Sequence, residues 1–345
     1  MPKQKILIVC NSEFAYQKFI KETYLKLKKK YHVDILIGLE DDMKKNLRDR
    51  NIFYTYMPKS FLKFIINIPF TCLSILQKLK KNDYAAIIHN NRNASIYSRL
   101  AIFFFKKKII SIYFARGMYF HDNQNIIIFF FSYLLEIFFL LKTNLILSQT
   151  KEDIKKTKFF INFFNIKNKY VGNGTDIIPK KKFNNKNNNF VAICRITKNK
   201  GLEDLLFAFS NIKKINSNSS LTIIGGPRSK EDYEYMKSLS KKFDFSNVLI
   251  TGMVKNVKKY LYPGQVYILS SYREGLSRSL LEAMSCGLIP IVSNIRGSRE
   301  VILNNNNGFI YNFADKKQLL NRMKKVLFLN QDKKKKLVKN SINTI

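Results

Sequence analysis

Two carboxylates, Glu274 and Glu282, stand in the segment Ser271-Tyr-Arg-Glu274-Gly-Leu-Ser-Arg-Ser-Leu-Leu-Glu282-Ala-Met-Ser-Cys-Gly287, which reads as a loop running into a helix. The first N–H groups of a helix have no partner inside it, so a small-residue loop feeding a helix makes an anion site. A carboxylate ahead of those amides and another about two turns along suit a ligand with both phosphates and neutral diols. A second segment, Ala192-Ile-Cys-Arg195-Ile-Thr-Lys-Asn-Lys200-Gly201, brings a guanidinium and an ammonium to another strand-to-helix passage. Such cations stabilise charge developing on a diphosphate leaving group without transferring a proton. Ile224-Gly225-Gly226-Pro227 is a glycine turn after a strand and lets the backbone approach a base or sugar closely. Gly172-Asn-Gly174-Thr-Asp176 is a further tight turn.

Alternating apolar runs supply the elements that must position these groups. Strands are expected over 5–10, 33–37, 85–89, 109–114 and 145–148, with helical stretches between them. A polar run of Lys and Asn then interrupts the pattern, which restarts with strands over 190–194, 221–225, 248–250, 266–269 and 288–292. Helices are expected over 202–214 and 232–242. Strands alternating with helices imply parallel sheets covered on both faces. We therefore divide the chain into an N-terminal Rossmann-like domain at 1–179, a linker at 180–189, a C-terminal Rossmann-like domain at 190–330 and a basic tail at 331–345. Two such halves make a cleft, with ligands at the carboxyl ends of the strands.

Composition narrows the partners. The chain has 345 residues, nearly half of them apolar, which fits two folded domains. It carries 61 Lys and Arg against 24 Asp and Glu, a formal net charge of +37, and so is drawn to polyanions. A nucleic-acid binder would gather basic and aromatic residues in one groove or module. Here the basic residues run the whole length, so no nucleic-acid partner is expected and a basic nucleic-acid-binding protein stands only as the remote alternative. Cys10, Cys72, Cys194 and Cys286 are scattered and read as buried free thiols, and His32, His89 and His121 are too dispersed for a zinc cluster. The apolar run over 6–10 is too short for a signal peptide, which places the protein in the cytoplasm. The run over 126–141 is shorter than the ~20 residues of a spanning helix and carries Glu136, so a buried or interfacial helix is expected.

Taken together, these segments resemble the large fourth family of retaining nucleotide-sugar glycosyltransferases, the group 1 enzymes of GT-B fold. Asn173-Gly174-Thr-Asp176 is similar to that family's Asn-Gly-Val-Asp turn, and Arg195 with Lys200-Gly201 to its Arg…Lys-Gly pair. Glu274…Glu282-Ala-Met…Gly287 resembles its double-glutamate motif, and Gly297-Ser-Arg-Glu300 and Asn307-Gly308 also match. The resemblance implies that Glu282 accepts hydrogen bonds from the ribose hydroxyls and that Arg195 and Lys200 hold the diphosphate. Glu274 and the amides of Gly275, Leu276 and Ser277 would address the donor sugar, with Gly225 and Gly226 beside the nucleotide. No metal and no cofactor is implied, and UDP is favoured over GDP. The wording of both motifs is closest to members acting on lipid-diphosphate-linked saccharides. The expected product is a bacterial surface glycan of lipopolysaccharide, capsule or O-antigen type.

The N-terminal half departs from the pattern. The loop Cys10-Asn11-Ser12-Glu13-Phe14 lacks the glycine pair of many members, and its Asn11 and Ser12 are acceptor-side candidates. In Phe114-Ala-Arg116-Gly117-Met-Tyr-Phe-His121, Arg116 stands where many members have histidine. An arginine does not exchange protons near neutrality, so Arg116 could only orient the donor or stabilise its phosphate. His121 and His89 are the titratable alternatives on that side. Arg116, and a short C-terminus from which the bracing helix of other members is expected to be missing, motivate a second reading: a catalytically idle or accessory member of the fold. The stretches 61–81 and 100–108 interleave large apolar residues with Lys, as a basic interfacial surface would. They are expected to dock the N-terminal half on the anionic inner face of the membrane, where a lipid-linked acceptor is presented.

Overall fold

A computed structural model describes residues 3–39, 47, 49–58, 61–118, 120, 124–175 and 189–345, without the side chains of Phe61 and Arg92. The chain packs as two compact units, Met1–Gly172 and Asn173–Ile345. The first holds strands β1 (Lys5–Cys10), β2 (His32–Leu39), β3 (Ile52–Tyr56), β4 (Tyr84–Asn90), β5 (Ile110–Ala115), β6 (Leu145–Ser148) and β7 (Lys167–Tyr170). They form one parallel sheet in the order β3-β2-β1-β4-β5-β6-β7. Its helices are α1 (Glu13–Ala15), α2 (Lys21–Lys28), α3 (Phe61–Ile66), α4 (Ile68–Lys81), α5 (Arg92–Phe103), α6 (Ile126–Leu140) and α7 (Lys151–Phe163). The central strand β1 reads Lys-Ile-Leu-Ile-Val-Cys because both of its faces are covered. Leu7 and Val9 enter a core with Ile75 of α4 and Tyr97 of α5, whereas Ile6, Ile8 and Cys10 pack with Tyr16, Ile20 and Tyr24.

The second unit repeats the plan with β8 (Asn189–Ile193), β9 (Ser220–Ile224), β10 (Val248–Ile250), β11 (Val266–Leu269), β12 (Ile289–Ser293) and β13 (Phe309–Tyr311). These strands are parallel in the order β10-β9-β8-β11-β12-β13. The helices are α8 (Leu202–Ile215), α9 (Lys230–Lys242), α10 (Arg278–Ser285), α11 (Arg296–Arg299), α12 (Lys316–Leu327) and α13 (Gln331–Asn343). In both sheets the strand order reverses beside the first strand, between β1 and β4 and between β8 and β11. The carboxyl ends of those pairs are where a doubly wound sheet opens a ligand crevice.

Several elements differ from the sequence expectation. The units part at Gly172, ahead of residue 179, and residues 180–188 of the expected linker lie outside the described residues, while Asn189 opens β8. Strands β3 and β7 lie at the sheet edges, and their residues are exposed or half-buried, so apolar patterning does not announce them. Residues 331–345 are not a tail. Leu337 and Val338 of α13 enter the second unit's core and Ser341 Oγ donates to the Leu288 carbonyl at 3.0 Å. In the lysine run of 333–336, Lys333, Lys335 and Lys336 are exposed, while Lys334 is half-buried and donates to the Leu327 carbonyl at 3.3 Å.

Candidate functional site

The exits of β8 and β11 are tied together. After β8 the chain makes a 3-10 turn at Lys198–Lys200, capped by Gly201 in the left-handed region at φ 61°. A side chain there would bring its Cβ to 2.1 Å from the Ser270 carbonyl, so only glycine lets this turn sit against the β11 exit. Ser270 Oγ donates to the Lys200 carbonyl at 2.7 Å, and the Tyr272 N–H donates to the Asn199 carbonyl at 3.0 Å. Held this way, the Lys200 ammonium forms an ion pair with Glu274, whose Oε1 also accepts from Ser271 Oγ at 3.3 Å. Burial pulls the Lys200 pKa down, but the charge and hydrogen bond of Glu274 outweigh it and hold the ammonium above the usual lysine value. The pair is about a quarter exposed. Burial pushes the neighbouring Cys194 thiol up to about 11, which rules it out as a nucleophile near neutrality.

Arg195 lies half-exposed on the loop between β8 and that turn, its Nε 3.5 Å from Asp232 Oδ2. Motif spacing does not mark Asp232; the signal that finds it is the capping pattern Ser229-Lys-Glu-Asp232 at the start of α9. There Ser229 Oγ accepts the Asp232 N–H at 3.2 Å, and Asp232 Oδ2 accepts the Arg228 N–H at 3.0 Å. Burial, and then the nearby charge of Arg195, lower the pKa of Arg228, which adds a guanidinium to this corner. Gly225 and Gly226 follow β9 alongside. The Gly225 N–H donates to Thr251 Oγ1 at 3.3 Å, and the Gly226 carbonyl accepts the Ile196 N–H at 3.3 Å.

The loop Gly275-Leu276-Ser277 leads into α10. Ser277 is the N-cap residue, yet its hydroxyl pairs with Ser279 Oγ at 2.9 Å and does not cap the first turn. Glu282, one turn beyond Arg278 in α10, accepts from Arg278 Nε at 3.0 Å and is mostly buried. Two contacts hold the loop from outside. Asn173 Nδ2 donates to the Leu276 carbonyl at 2.9 Å, which puts the Asn173-Gly174 turn on the second unit. A Cβ on Gly297 would lie 1.6 Å from the Gly275 carbonyl, so the Gly297-Ser-Arg-Glu300 segment is the floor on which that loop rests. The structure thus joins Lys200 to Glu274, sets Arg195 on the same β8 exit loop and fixes the α10 entrance. An oxyanion-rich ligand would meet cations on one side and helix amides on the other.

In the first unit the acceptor-side candidates scatter in role. His89 is a core residue and not a site residue: it is fully buried, with Nδ1 2.7 Å from Ser98 Oγ and Nε2 3.1 Å from Ser111 Oγ. Ser98 spends its proton on the Ala94 carbonyl at 2.7 Å, so Nδ1 carries the ring's hydrogen and Nε2 accepts. Burial and the nearby charge of Arg99 hold the ring neutral, well below the usual histidine range. Ser12 is the N-cap of α1, accepting the Ala15 N–H at 3.2 Å. Arg116 donates from Nε to Asn90 Oδ1 at 2.9 Å and from Nη2 to the Phe19 carbonyl at 3.3 Å, with its guanidinium 4.5 Å from the Phe19 ring centroid. Asn11 follows β1, and its Oδ1 is buried with no hydrogen-bond partner, as are Nδ2 of Asn90 and Oδ1 of Asn91 after β4. His121 lies outside the described residues. Among the described residues, no three His, Cys, Asp or Glu side chains gather to hold a metal.

Residues 174–344 match the family described as glycosyl transferases, group 1. This half of the chain belongs to the group 1 glycosyl transferases. An uncharacterized glycosyltransferase of Methanocaldococcus jannaschii is 33% identical over 143 residues, 40% of this chain and 35% of the relative. The UDP-Gal:alpha-D-GlcNAc-diphosphoundecaprenol alpha-1,3-galactosyltransferase of Escherichia coli is 30% identical over 110 residues, 31% of this chain and 28% of the relative. The chain thus spans about a third of the length of these relatives. Among solved structures, sucrose-phosphate synthase from Thermosynechococcus elongatus superposes with a TM-score of 0.76 at 14% identity, covering 99% of this chain and 94% of that one. Anabaena HepE, solved with UDP and glucose, gives 0.70 at 15%, with the same coverage of 99% and 94%. At such identities the likeness shows the fold alone: two parallel-sheet α/β domains of the GT-B class.

Proposed function

We propose that this protein is a retaining, metal-independent glycosyltransferase. It moves a hexose or N-acetylhexosamine from a nucleotide-diphosphate sugar, UDP in preference to GDP, onto a lipid-linked saccharide in bacterial surface-glycan synthesis. The observation that carries this reading is the Lys200–Glu274 ion pair across the exits of β8 and β11, with Arg195 on the same β8 exit loop. An ammonium has three N–H donors, so Lys200 can keep Glu274 in position and still donate to a phosphate. Arg195 and Lys200 neutralise the charge that builds on the diphosphate as the glycosidic bond breaks. Glu282 takes the ribose hydroxyls, and Glu274 with the amides of Gly275, Leu276 and Ser277 faces the donor sugar. Retention then proceeds on one face of the sugar, with the departing phosphate assisting deprotonation of the acceptor. Arg116, locked by Asn90 and the Phe19 carbonyl, orients the donor and carries no proton.

The named acceptor of the E. coli relative, a diphosphoundecaprenol saccharide, supports a lipid-linked acceptor here. The UDP held by HepE supports the choice of nucleotide. A chain of net charge +37 suits work at the anionic inner face of a membrane. Incubation with a panel of UDP- and GDP-sugars, read as slow donor hydrolysis or transfer to membrane extract, tests the reading. Glu282→Ala and Arg195→Ala should each abolish the activity. Activity surviving in both would refute the site, and absence of donor binding in the native protein would favour an idle member of the fold.

A further inference from the structure

Helix α6 wears its polarity inside out. Its inward stripe, at helical spacing, is Phe129, Ser132, Tyr133, Glu136 and Phe139, and every polar group on it finds work within the unit or lies half-buried there. Tyr133 Oη donates to the Lys156 carbonyl at 3.1 Å. Glu136 accepts from both Nη1 and Nη2 of Arg99 at 3.1 Å, and Arg99 stacks its guanidinium 3.9 Å from the Tyr113 ring. Both members of this ion pair are 1% exposed. The outward stripe is Ile127, Phe130, Phe131, Leu134, Phe138 and Leu141, and each is between 42% and 66% exposed. A globular surface helix shows the opposite arrangement, with the apolar stripe in and the charges out.

The exposed face is not confined to one helix. Phe103 of α5 stacks on Phe138 at 4.6 Å, and Phe64 of α3 shares a cluster with Phe139. Helices α3 and α4 add Leu62, Ile65, Ile66 and Phe70, all 46% exposed or more. Exposed lysines follow these apolar segments: Lys63, the run 106–108 and Lys142. A contiguous apolar patch of this kind marks an interaction surface. The charge decides between occupants. A second copy would bring another +37 and a like rim of lysines, whereas an anionic bilayer offers hydrocarbon to the stripe and phosphates to the rim. At ~1.5 Å per residue, α6 is about 22 Å long against a hydrocarbon core of ~30 Å. Among the described residues no helix is long and apolar enough to cross a membrane.

We infer that α6, flanked by α3 and α4, lies in the plane of the bilayer with Ile127, Phe130, Phe131, Leu134 and Phe138 below the headgroups, and that the buried Arg99–Glu136 pair locks its apolar face outward. This deepens the membrane-face reading and rests on it for its biological purpose. It moves the centre of the contact from the stretches 61–81 and 100–108 to α6. Hydrocarbon insertion also differs from electrostatic docking in being resistant to salt and in persisting on zwitterionic lipid.

The chain contains no tryptophan, so Phe131→Trp supplies a lone reporter. Vesicles of phosphatidylcholine, with and without phosphatidylglycerol, should shift its emission to the blue, and brominated acyl chains should quench it, in low and high salt alike. Tyr233→Trp on α9, 56% exposed in the second unit, should do neither. Phe131→Glu combined with Leu134→Glu should lower the vesicle-bound fraction at least tenfold in flotation, with UDP binding by the second unit unchanged. Emission from the Phe131→Trp variant that is neither shifted nor quenched on any vesicle overturns the inference, as does native self-association that the double variant abolishes. Insertion by a protein that binds no nucleotide sugar would leave it standing and sink the transferase reading instead.

Discussion

The two sheets reverse strand order in the same way, yet the two crevices are built from different chemistry. At the β8–β11 crossing the exit loops carry Arg195, Lys200 and Glu274, with Asp232 and Arg228 alongside, and glycines let them close up. At the β1–β4 crossing the residues are amides: Asn11, Asn90 and Asn91, each with a buried side-chain atom lacking a hydrogen-bond partner, and Arg116 fixed by one of them. Ionic groups suit a diphosphate, whose charge must be met at once. Amides suit hydroxyls, which offer both donors and acceptors and no net charge. On the function proposed above, the second unit's crevice meets the diphosphate and the first unit's amides meet a neutral polyol.

Lys200→Ala should break the comparison hardest. It removes an electrostatic stabiliser of the leaving group and leaves Glu274 without its ion pair, so turnover should fall by ~10²–10³-fold in a donor-hydrolysis assay. Asn90→Ala, on the amide side, should cost only about tenfold in transfer and less in donor hydrolysis, because it loosens Arg116, which orients the donor, without touching the phosphate cations. Equal losses in both assays for the two variants would mean that the crevices do not divide the work.

A smaller effect separates site from scaffold. His89, next to Asn90 in β4, is a neutral core residue, whereas in the unfolded chain it takes a proton near its ordinary value of 6.5. Its folded pKa is depressed, so the unfolded state binds more protons below that value. The stability this ring contributes is full above about pH 6.5 and is lost as pH falls. Denaturant unfolding at about pH 7 and about pH 5 should show that loss, and His89→Gln should flatten it while costing about 1–3 kcal/mol at neutral pH. A catalytic histidine would instead shift the pH profile of turnover with little change in stability.

The difference between the crevices also explains what the sequence made legible. Arg195, Lys200, Glu274 and Glu282 are charged groups among small residues at strand-to-helix passages, a combination that a solvated surface has no reason to assemble. Asn90 and Asn91 sit in a chain rich in asparagine, and nothing in their spacing separates them from loop residues. His89 at a strand end looks like a ligand until Ser98 and Ser111, far away in sequence, claim both nitrogens. Most strands could be read from apolar runs, but the edge strands β3 and β7 could not, because they bury too little. Helix α6 illustrates the same limit: an apolar run does not say which side faces out. That was decided by Arg99 reaching Glu136 from another helix.

The central claim, that the second unit alone holds the donor's diphosphate, is tested most directly by calorimetric titration of UDP. Arg195→Ala should weaken binding at least tenfold, and Arg116→Ala in the first unit should leave the affinity within about twofold of the native value. Native affinity in Arg195→Ala, or a tenfold loss in Arg116→Ala, would contradict it.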